Sequence, residues 1–283
     1  MKVNLSHAEF SEVARKLLLV SIFHAESGHP GGALSAVDVI VNLFQEEMEY
    51  DVDSMSAENR DRFILSKGHC APTLYAVAAI VGIIDSSRLN GLRTLNHELQ
   101  GHTCRTTTPW VEASTGSLGQ GFSFAIGEAK GLQIQKVSSR VYVMLGDGEL
   151  QEGEIWEGAM FASHHMLDNL CAIVDYNKMQ SDDLNENILG LEPLADKWMS
   201  FGWHVIDING HDINEIRSAF AEARKIKGKP TIIIAHTVKG KGVSYMEGIP
   251  AWHGSVKLSE QDLRIALKDL GASESEIEGY LSE

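Results

Sequence analysis

Apolar residues follow two rhythms along this chain. Short runs rich in β-branched residues, 141–145 (VYVML), 170–174 (LCAIV) and 231–235 (TIIIA), are bounded by Gly, Asp and His and read as buried strands, with 203–208 (WHVIDI) as a further one. Between them lie patterns with the period of a helix. A capping box at Ser6 and Glu9 opens the first, which runs to about Glu26 with Phe10, Val13, Leu17 and Val20 on its apolar face. Gly28 and Pro30 end it, and Ser35 with Asp38 predicts a second helix to about Met48, leaving His29 at a turn between helix ends. The segment 62–69 (RFILSKGH) reads as a strand entering a glycine turn, and a helix follows from Pro72 to Gly82. Further helices are predicted from about Phe122, over 154–166 with a stripe of Ile155, Ala159, Phe161 and Ala162, and from Asp212 to about Lys227. Boxes at Ser259/Asp262 and Ser273/Glu276 cap two short terminal helices.

Strands alternating with helices predict an α/β chain: a doubly wound, mostly parallel sheet with helices on both faces. The unit 141–181 is strand–helix–strand, so its two strands should be parallel with a right-handed crossover. Asp147, inside Gly146-Asp147-Gly148, and Asn177 then stand just past the carboxyl ends of neighbouring strands, the edge where open α/β sheets bind ligands. One carboxylate and one amide oxygen there suit a hard cation holding a diphosphate, because Mg²⁺ commonly takes one or two carboxylates plus phosphate oxygens and water. The plainer alternative is an ordinary Asp-Gly turn and an Asn at a strand end.

Length and charge narrow the setting. The 283 residues are read as a single domain, 1–283, with about 256–283 as a C-terminal helical extension. A formal charge of −15 argues against nucleic acid as a partner and means that an anionic ligand needs a local nest of cations and amides. The apolar run 17–23 is too short to span a bilayer, the opening MKVNLSHAEF is no signal peptide, and no membrane association is expected. Three cysteines without CxxC spacing are expected to be reduced thiols in a cytoplasmic protein.

Gly-Asp-Gly followed about thirty residues later by Asn across a strand–helix–strand unit resembles the thiamine diphosphate fingerprint. GDGELQEGEIWEGAMFASHH with NLCAIVDYNKMQSD is similar to the transketolase family in particular. GHPGG around His29, SKGHCAPTLYA around His69, the GH of His102, TGSLGQG from Thr115 and KGKGVSYMEGIPAWHG from Lys239 to His253 extend the resemblance in order along nearly the whole chain. It implies a thiamine diphosphate-binding fold with Mg²⁺, or Ca²⁺ or Mn²⁺ in its place, held by Asp147, Asn177 and the carbonyl of Met179. It also implies Gly148, Glu149, Glu152 and His69 around the diphosphate, and Gly116, Ser117 and Leu118 at the aminopyrimidine. Lys239 and His253 would face the cofactor. His29, His102 and His253 would be catalytic, with His29 and His102 also contacting the sugar. Lys67, as a mobile point charge, and Arg105 join them as substrate-binding candidates.

The expected reaction is transfer of a two-carbon ketol unit from a ketose, a phosphate or another anionic ketose, to an aldose. In the family the glutamate that activates the cofactor's pyrimidine lies in a following domain. The chain is therefore expected to be the N-terminal subunit of a split transketolase, with a separate C-terminal subunit carrying the pyrimidine-binding and C-terminal domains, as α₂β₂; a truncated chain is the competing explanation. One loop departs from the family text: GHTCRTTTPWVE places Arg105 and three threonines beside the sugar channel. Either it contacts an unusual anionic terminus, as in a sulfo- or branched-chain sugar, or it is surface variation. The α-subunit of a 2-oxoacid dehydrogenase or decarboxylase, and a non-catalytic cofactor-binding subunit, are the remaining alternatives.

Overall fold

Five strands, β1 (Arg62–Leu65), β2 (Val141–Gly146), β3 (Leu170–Tyr176), β4 (His204–Asn209) and β5 (Thr231–His236), form one sheet in the order β1-β2-β3-β5-β4. All four pairings are parallel, and β2 and β3 run in register from Val141 opposite Leu170 to Gly146 opposite Asp175. The computed structural model of the chain describes residues 5–55 and 59–282, so residues 1–4 of the segment read as no signal peptide lie outside the described residues.

Parallel strands need helical crossovers, which cover both faces of the sheet. The alternation of the strands sorts their side chains into two cores. Tyr142, Met144, Cys171, Ile173 and Ile233 point into one, and Val143, Leu145, Ala172, Val174 and Ile234 into the other. The chain enters through α1 (His7–His24), α2 (Pro30–Ser35), α3 (Val37–Asn42) and α4 (Ala71–Val81), all on the first core. The second core is closed by α5 (Gln120–Gln135) and α6 (Gly153–His164), and, after the short α7 (Asn185–Ile188), by α8 (Leu194–Ser200), whose Trp198 is fully buried. Then α9 (Ile213–Ala223), α10 (Glu260–Asp269) and α11 (Glu274–Ser282) return to the first. Leu263, Leu267 and Ile277, in the predicted C-terminal extension, belong to that same core.

Local signals placed several helix ends within a residue or two. Ser6 and Glu9 form the capping box of α1, Ser259 and Asp262 that of α10, and Asp212 accepts from the backbone N–H of Asn214 and Glu215 to open α9. Gly82 ends α4 in the left-handed conformation.

Three expectations are corrected. Ser35 does not cap a helix: the helix starts at Pro30 with His29 in the capping position, and the Ser35 hydroxyl instead donates to Asp175 at 2.6 Å. The predicted helix to Met48 is two short helices and a π-helical turn, Leu43–Glu47. Phe161 lies outside the buried stripe of α6; it is 44% exposed and its ring rests on that of His165.

Candidate active site

The site is built where β2 and β3 end. After Gly146 the chain turns through a 3₁₀ segment, Gly148–Gln151, capped by Asp147, whose Oδ1 accepts from the Gly148 N–H at 2.8 Å. The other oxygen of Asp147 accepts from the N–H of Lys178, beyond the end of β3, so one carboxylate ties the two strand ends together. Asn177 turns the next bend, its Oδ1 accepting from the Met179 N–H at 3.2 Å. Asp147, Asn177 and Met179 line a single cavity.

Asp147 is 3% exposed, and among the described residues no cationic side chain lies within ion-pair distance of it. Burial, and then the charge of Asp175, push its carboxyl up to about 6. The carbonyl of Met179 receives only a long 3.4 Å contact from Lys239 Nζ, which sits closer to the Gln180 carbonyl at 2.9 Å. One under-compensated carboxylate, an amide oxygen and a carbonyl on one wall suit a hard divalent cation with room for phosphate oxygens and water. Among the described residues no three His, Cys, Asp or Glu side chains converge as a self-contained metal cage.

Behind this wall lies Asp175, which the sequence did not flag. Burial alone would raise its pKa, but the ammonium of Lys67 and the hydroxyls of Ser35 and Thr237 hold it below the ordinary range. Lys67 is therefore no mobile point charge: it is 1% exposed, paired with Asp175 and bonded to the Gly32 carbonyl at 3.2 Å, although its stem lines the cavity. Glu149 is likewise walled in. It accepts from the N–H groups of Gly119 and Gly146 at 2.9 Å each and from the Ser66 hydroxyl, joining the exits of β1 and β2 to the start of α5.

Four imidazoles cluster beside the cavity, and two of them, His69 and His253, line it. Ring centroids lie 5.5 Å apart for His29 and His69, 5.7 Å for His29 and His102, 6.0 Å for His29 and His253, and 5.1 Å for His69 and His253. Burial lowers every one, reinforced by neighbouring cations: His29 to about 4 with Arg93 beside it, His253 to about 3 with Lys239 beside it, His69 well below its ordinary value beside Lys67, and His102 below its own beside Arg93. In all four, burial and the neighbouring cations favour the neutral ring. Lys239 Nζ donates to His253 Nδ1 at 2.8 Å, and burial followed by the charge of Lys67 brings that ammonium down to about 8.

Backbone shape makes this crowding possible. Pro30 supplies the helical φ at the first position of α2, and Gly32 lets that turn meet His69, where an added Cβ would lie 2.9 Å from Nε2. Gly116, at φ +132°, lies against the ring of His102 in a conformation that favours glycine.

The predicted residues are thus brought together unevenly. His69, Leu118, Gly148, Glu149, Lys239 and His253 line the cavity beside Asp147, Asn177 and Met179, and His29 and His102 join through the imidazole cluster. Gly116 touches His102 without lining the cavity; Ser117 is exposed, and Glu152, also exposed, precedes α6. Arg105 is anchored away from the cavity wall, its Nη1 donating to the carbonyls of Val111 at 3.2 Å and Glu112 at 2.9 Å. Beyond Asp175, the residues that sequence reasoning missed are Gln180, which lines the cavity just past Met179, and Arg93, which donates to His29.

With this geometry in view, residues 6–278 match the family described as transketolase, thiamine diphosphate binding domain. The chain is 43% identical over 269 residues to the 6-deoxy-6-sulfo-D-fructose transketolase subunit SqwG of Clostridium sp. (strain MSTE9), covering 95% of this chain and 97% of that one. It is 39% identical over 251 residues to an apulose-4-phosphate transketolase subunit of Phocaeicola vulgatus, covering 89% of each. Among solved structures, transketolase from Leishmania mexicana superposes with a TM-score of 0.88 at 30% identity, over 98% of this chain and 44% of that chain.

Proposed function

The chain belongs to the transketolase thiamine diphosphate-binding domain family, and from that premise we propose that it is the N-terminal subunit of a two-subunit transketolase, transferring a two-carbon ketol unit from a ketose to an aldose. The observation that carries the reading is the buried, under-compensated Asp147 facing the same cavity as Asn177 and Met179, beside a cluster of four imidazoles.

Asp147, Asn177 and the Met179 carbonyl are the residues to hold Mg²⁺, with Ca²⁺ or Mn²⁺ as substitutes, because a buried carboxylate without a cationic partner is stabilised by a hard cation and its diphosphate. Thiamine diphosphate, when bound, supplies the electron sink for breaking a carbon–carbon bond next to a carbonyl. The chain's own residues bind and orient around it. Gly148 keeps the backbone open beside the diphosphate, and a Cβ there would lie 2.9 Å from the Gln180 side chain. Leu118 offers an apolar surface at the cavity mouth. His29, His102 and His253 bind sugar oxygens as neutral rings and hold or move protons there, without the repulsion that an imidazolium would add beside Lys239 and Arg93.

Two relatives of nearly the same length are named as transketolase subunits, which supports a separate partner chain. The adjoining helices α5 and α6 leave Phe124, Met160 and Phe161 exposed, a face suited to burial in an assembly, which we take to be α₂β₂. The same relatives, and the GHPGG, SKGH and TGSLGQG segments, disfavour the 2-oxoacid dehydrogenase and non-catalytic readings.

The test is to purify the chain with its candidate partner subunit, add thiamine diphosphate and Mg²⁺, and screen ketose phosphates and other anionic ketoses as donors to an aldose. Ketol transfer is expected. Pyruvate turnover alone, or cofactor binding without transfer across the panel, overturns the reading. In the same assay His102→Ala should lower turnover by about 10²–10⁴-fold; unchanged turnover with intact cofactor binding removes His102 from the chemistry.

A further inference from the structure

Arg93 is a half-buried cation that the proposed reaction leaves without a role. It follows a 3₁₀ segment, Ser86–Gly91, and takes the left-handed conformation at φ +59°, which a residue with a side chain keeps only where its surroundings dictate it. Its guanidinium is placed with care. Nη1 donates to the Ser27 hydroxyl at 2.8 Å and Nη2 to His29 Nδ1 at 3.1 Å. Gly101 makes room, since a Cβ there would lie 2.4 Å from Nε. Nε itself is buried with no hydrogen-bond partner, and among the described residues no carboxylate lies within ion-pair distance. The cation is not placed to balance a charge.

A guanidinium has five donors and no acceptor. The contact with His29 therefore requires a lone pair on Nδ1, and a neutral ring must then carry its proton on Nε2. The reverse tautomer would set N–H against N–H. Among the described residues, the charged or titratable groups around His29 all favour the same neutral state: Arg93, Lys239, His69, His102 and His253, with no acid among them. The space beside Nε2 is kept clear by Gly254, where an added Cβ would lie 2.7 Å from that nitrogen.

We infer that Arg93 is a positioning residue that locks His29 as the Nε2–H tautomer, so that His29 meets the substrate as a hydrogen-bond donor to an oxygen and not as a proton acceptor. The sugar role of His29 rests on the proposed ketol transfer; the tautomer does not. A base at Nε2 would need the proton on Nδ1, which Arg93 opposes, and burial beside that cation holds His29 at about 4.

The experiment reassembles the ¹⁵N-histidine-labelled chain with its unlabelled partner, thiamine diphosphate and Mg²⁺, and reads His29 by two-bond ¹⁵N–¹H NMR between pH 5 and 9. An unprotonated Nδ1 and a protonated Nε2 throughout are expected. Nδ1–H, or an imidazolium near pH 7, overturns the inference whether or not the complex transfers sugar, whereas an intact tautomer without transfer would overturn only the proposed function. Arg93→Met should release the lock, giving mixed tautomers, titration of His29 closer to its ordinary value and an acid limb in the pH profile of kcat. At neutral pH kcat should fall roughly 10-fold, short of the 10²–10⁴ lost with an acid–base group itself. Arg93→Lys, which keeps a donor-only cation, should restore both tautomer and profile in part. An unchanged His29 spectrum and pH profile in Arg93→Met, or a Lys variant no better than Met on both readouts, overturns the role of Arg93.

Discussion

Two buried aspartates in this chain are treated in opposite ways. Asp38, on α3, accepts both ends of the Arg15 guanidinium at 3.1 and 2.7 Å and the Nδ1–H of His211 at 2.7 Å, while the other nitrogen of His211 accepts from the Val238 N–H at 2.8 Å. Burial opposes its ionisation, yet His211 and Arg15 overcome that and hold the carboxyl far below its usual range. Asp147 is buried as deeply but is bonded only by backbone N–H groups at its two oxygens, and its pKa rises to about 6. The first cluster is complete within the chain. The second carries a charge that the chain does not neutralise, and a bound cation would. Where a fold buries a charge without a partner, the partner is to be sought among its ligands.

The comparison can be broken most directly at Asp38. Asp38→Ala leaves Arg15 buried without its counter-charge and should cost about 3–5 kcal/mol, read from the denaturant midpoint. A variant as stable as the native chain would show that the cluster is not the structural member of the pair. Asp147→Asn should do the opposite: roughly a 10²-fold loss of Mg²⁺-dependent cofactor affinity by titration calorimetry, with cofactor-free stability equal to or above native. Marked destabilisation of the cofactor-free chain would make Asp147 a structural acid.

Smaller effects sharpen the contrast within the rim, because Asp175 is compensated where Asp147 is not. Ser35→Ala removes one charge-assisted hydrogen bond to Asp175 and should lower stability by about 1.5 kcal/mol with Lys67 still paired. Last comes acid titration. Because the pKa of Asp38 is depressed on folding, its contribution is present above the unfolded value near 3.8 and is lost as pH falls below it toward the folded pKa. The native chain should shed up to about 1.4 kcal/mol per pH unit there from this group. Asp38→Asn should show a shallower acid limb; parallel limbs would mean that other carboxylates govern acid unfolding.

Much of the framework was legible because it is local. The capping boxes at Ser6/Glu9 and Ser259/Asp262 span three residues each, and the strands that carry Asp147 and Asn177 were bounded by their own apolar runs. Two misreadings depend on partners far along the chain. Ser35 looked like a helix cap, yet its hydroxyl bonds an acid 140 positions away. Lys67 looked mobile, and Asp175, 108 positions on, buries and pairs it. The loop of Arg105 was read either as a contact for an anionic sugar terminus or as surface variation, and its guanidinium donates to carbonyls within that same loop. Phe161 obeys the helical period and still faces outward, since the period specifies a face and not how much of it the neighbours cover.

By itself the sequence determined the parallel α/β plan, the strand ends that carry Asp147 and Asn177, and the family to which the chain is similar, because periodicity, turn chemistry and motif text act over a few residues. Only the tertiary structure decided which charges are matched: that Asp175 is neutralised by Lys67 and Asp147 is left without a cation, and that Arg93 addresses one nitrogen of His29. The reason is physical. The energy of a buried charge depends on its distance and orientation to every partner around it, and those distances exist only once the chain has closed on itself.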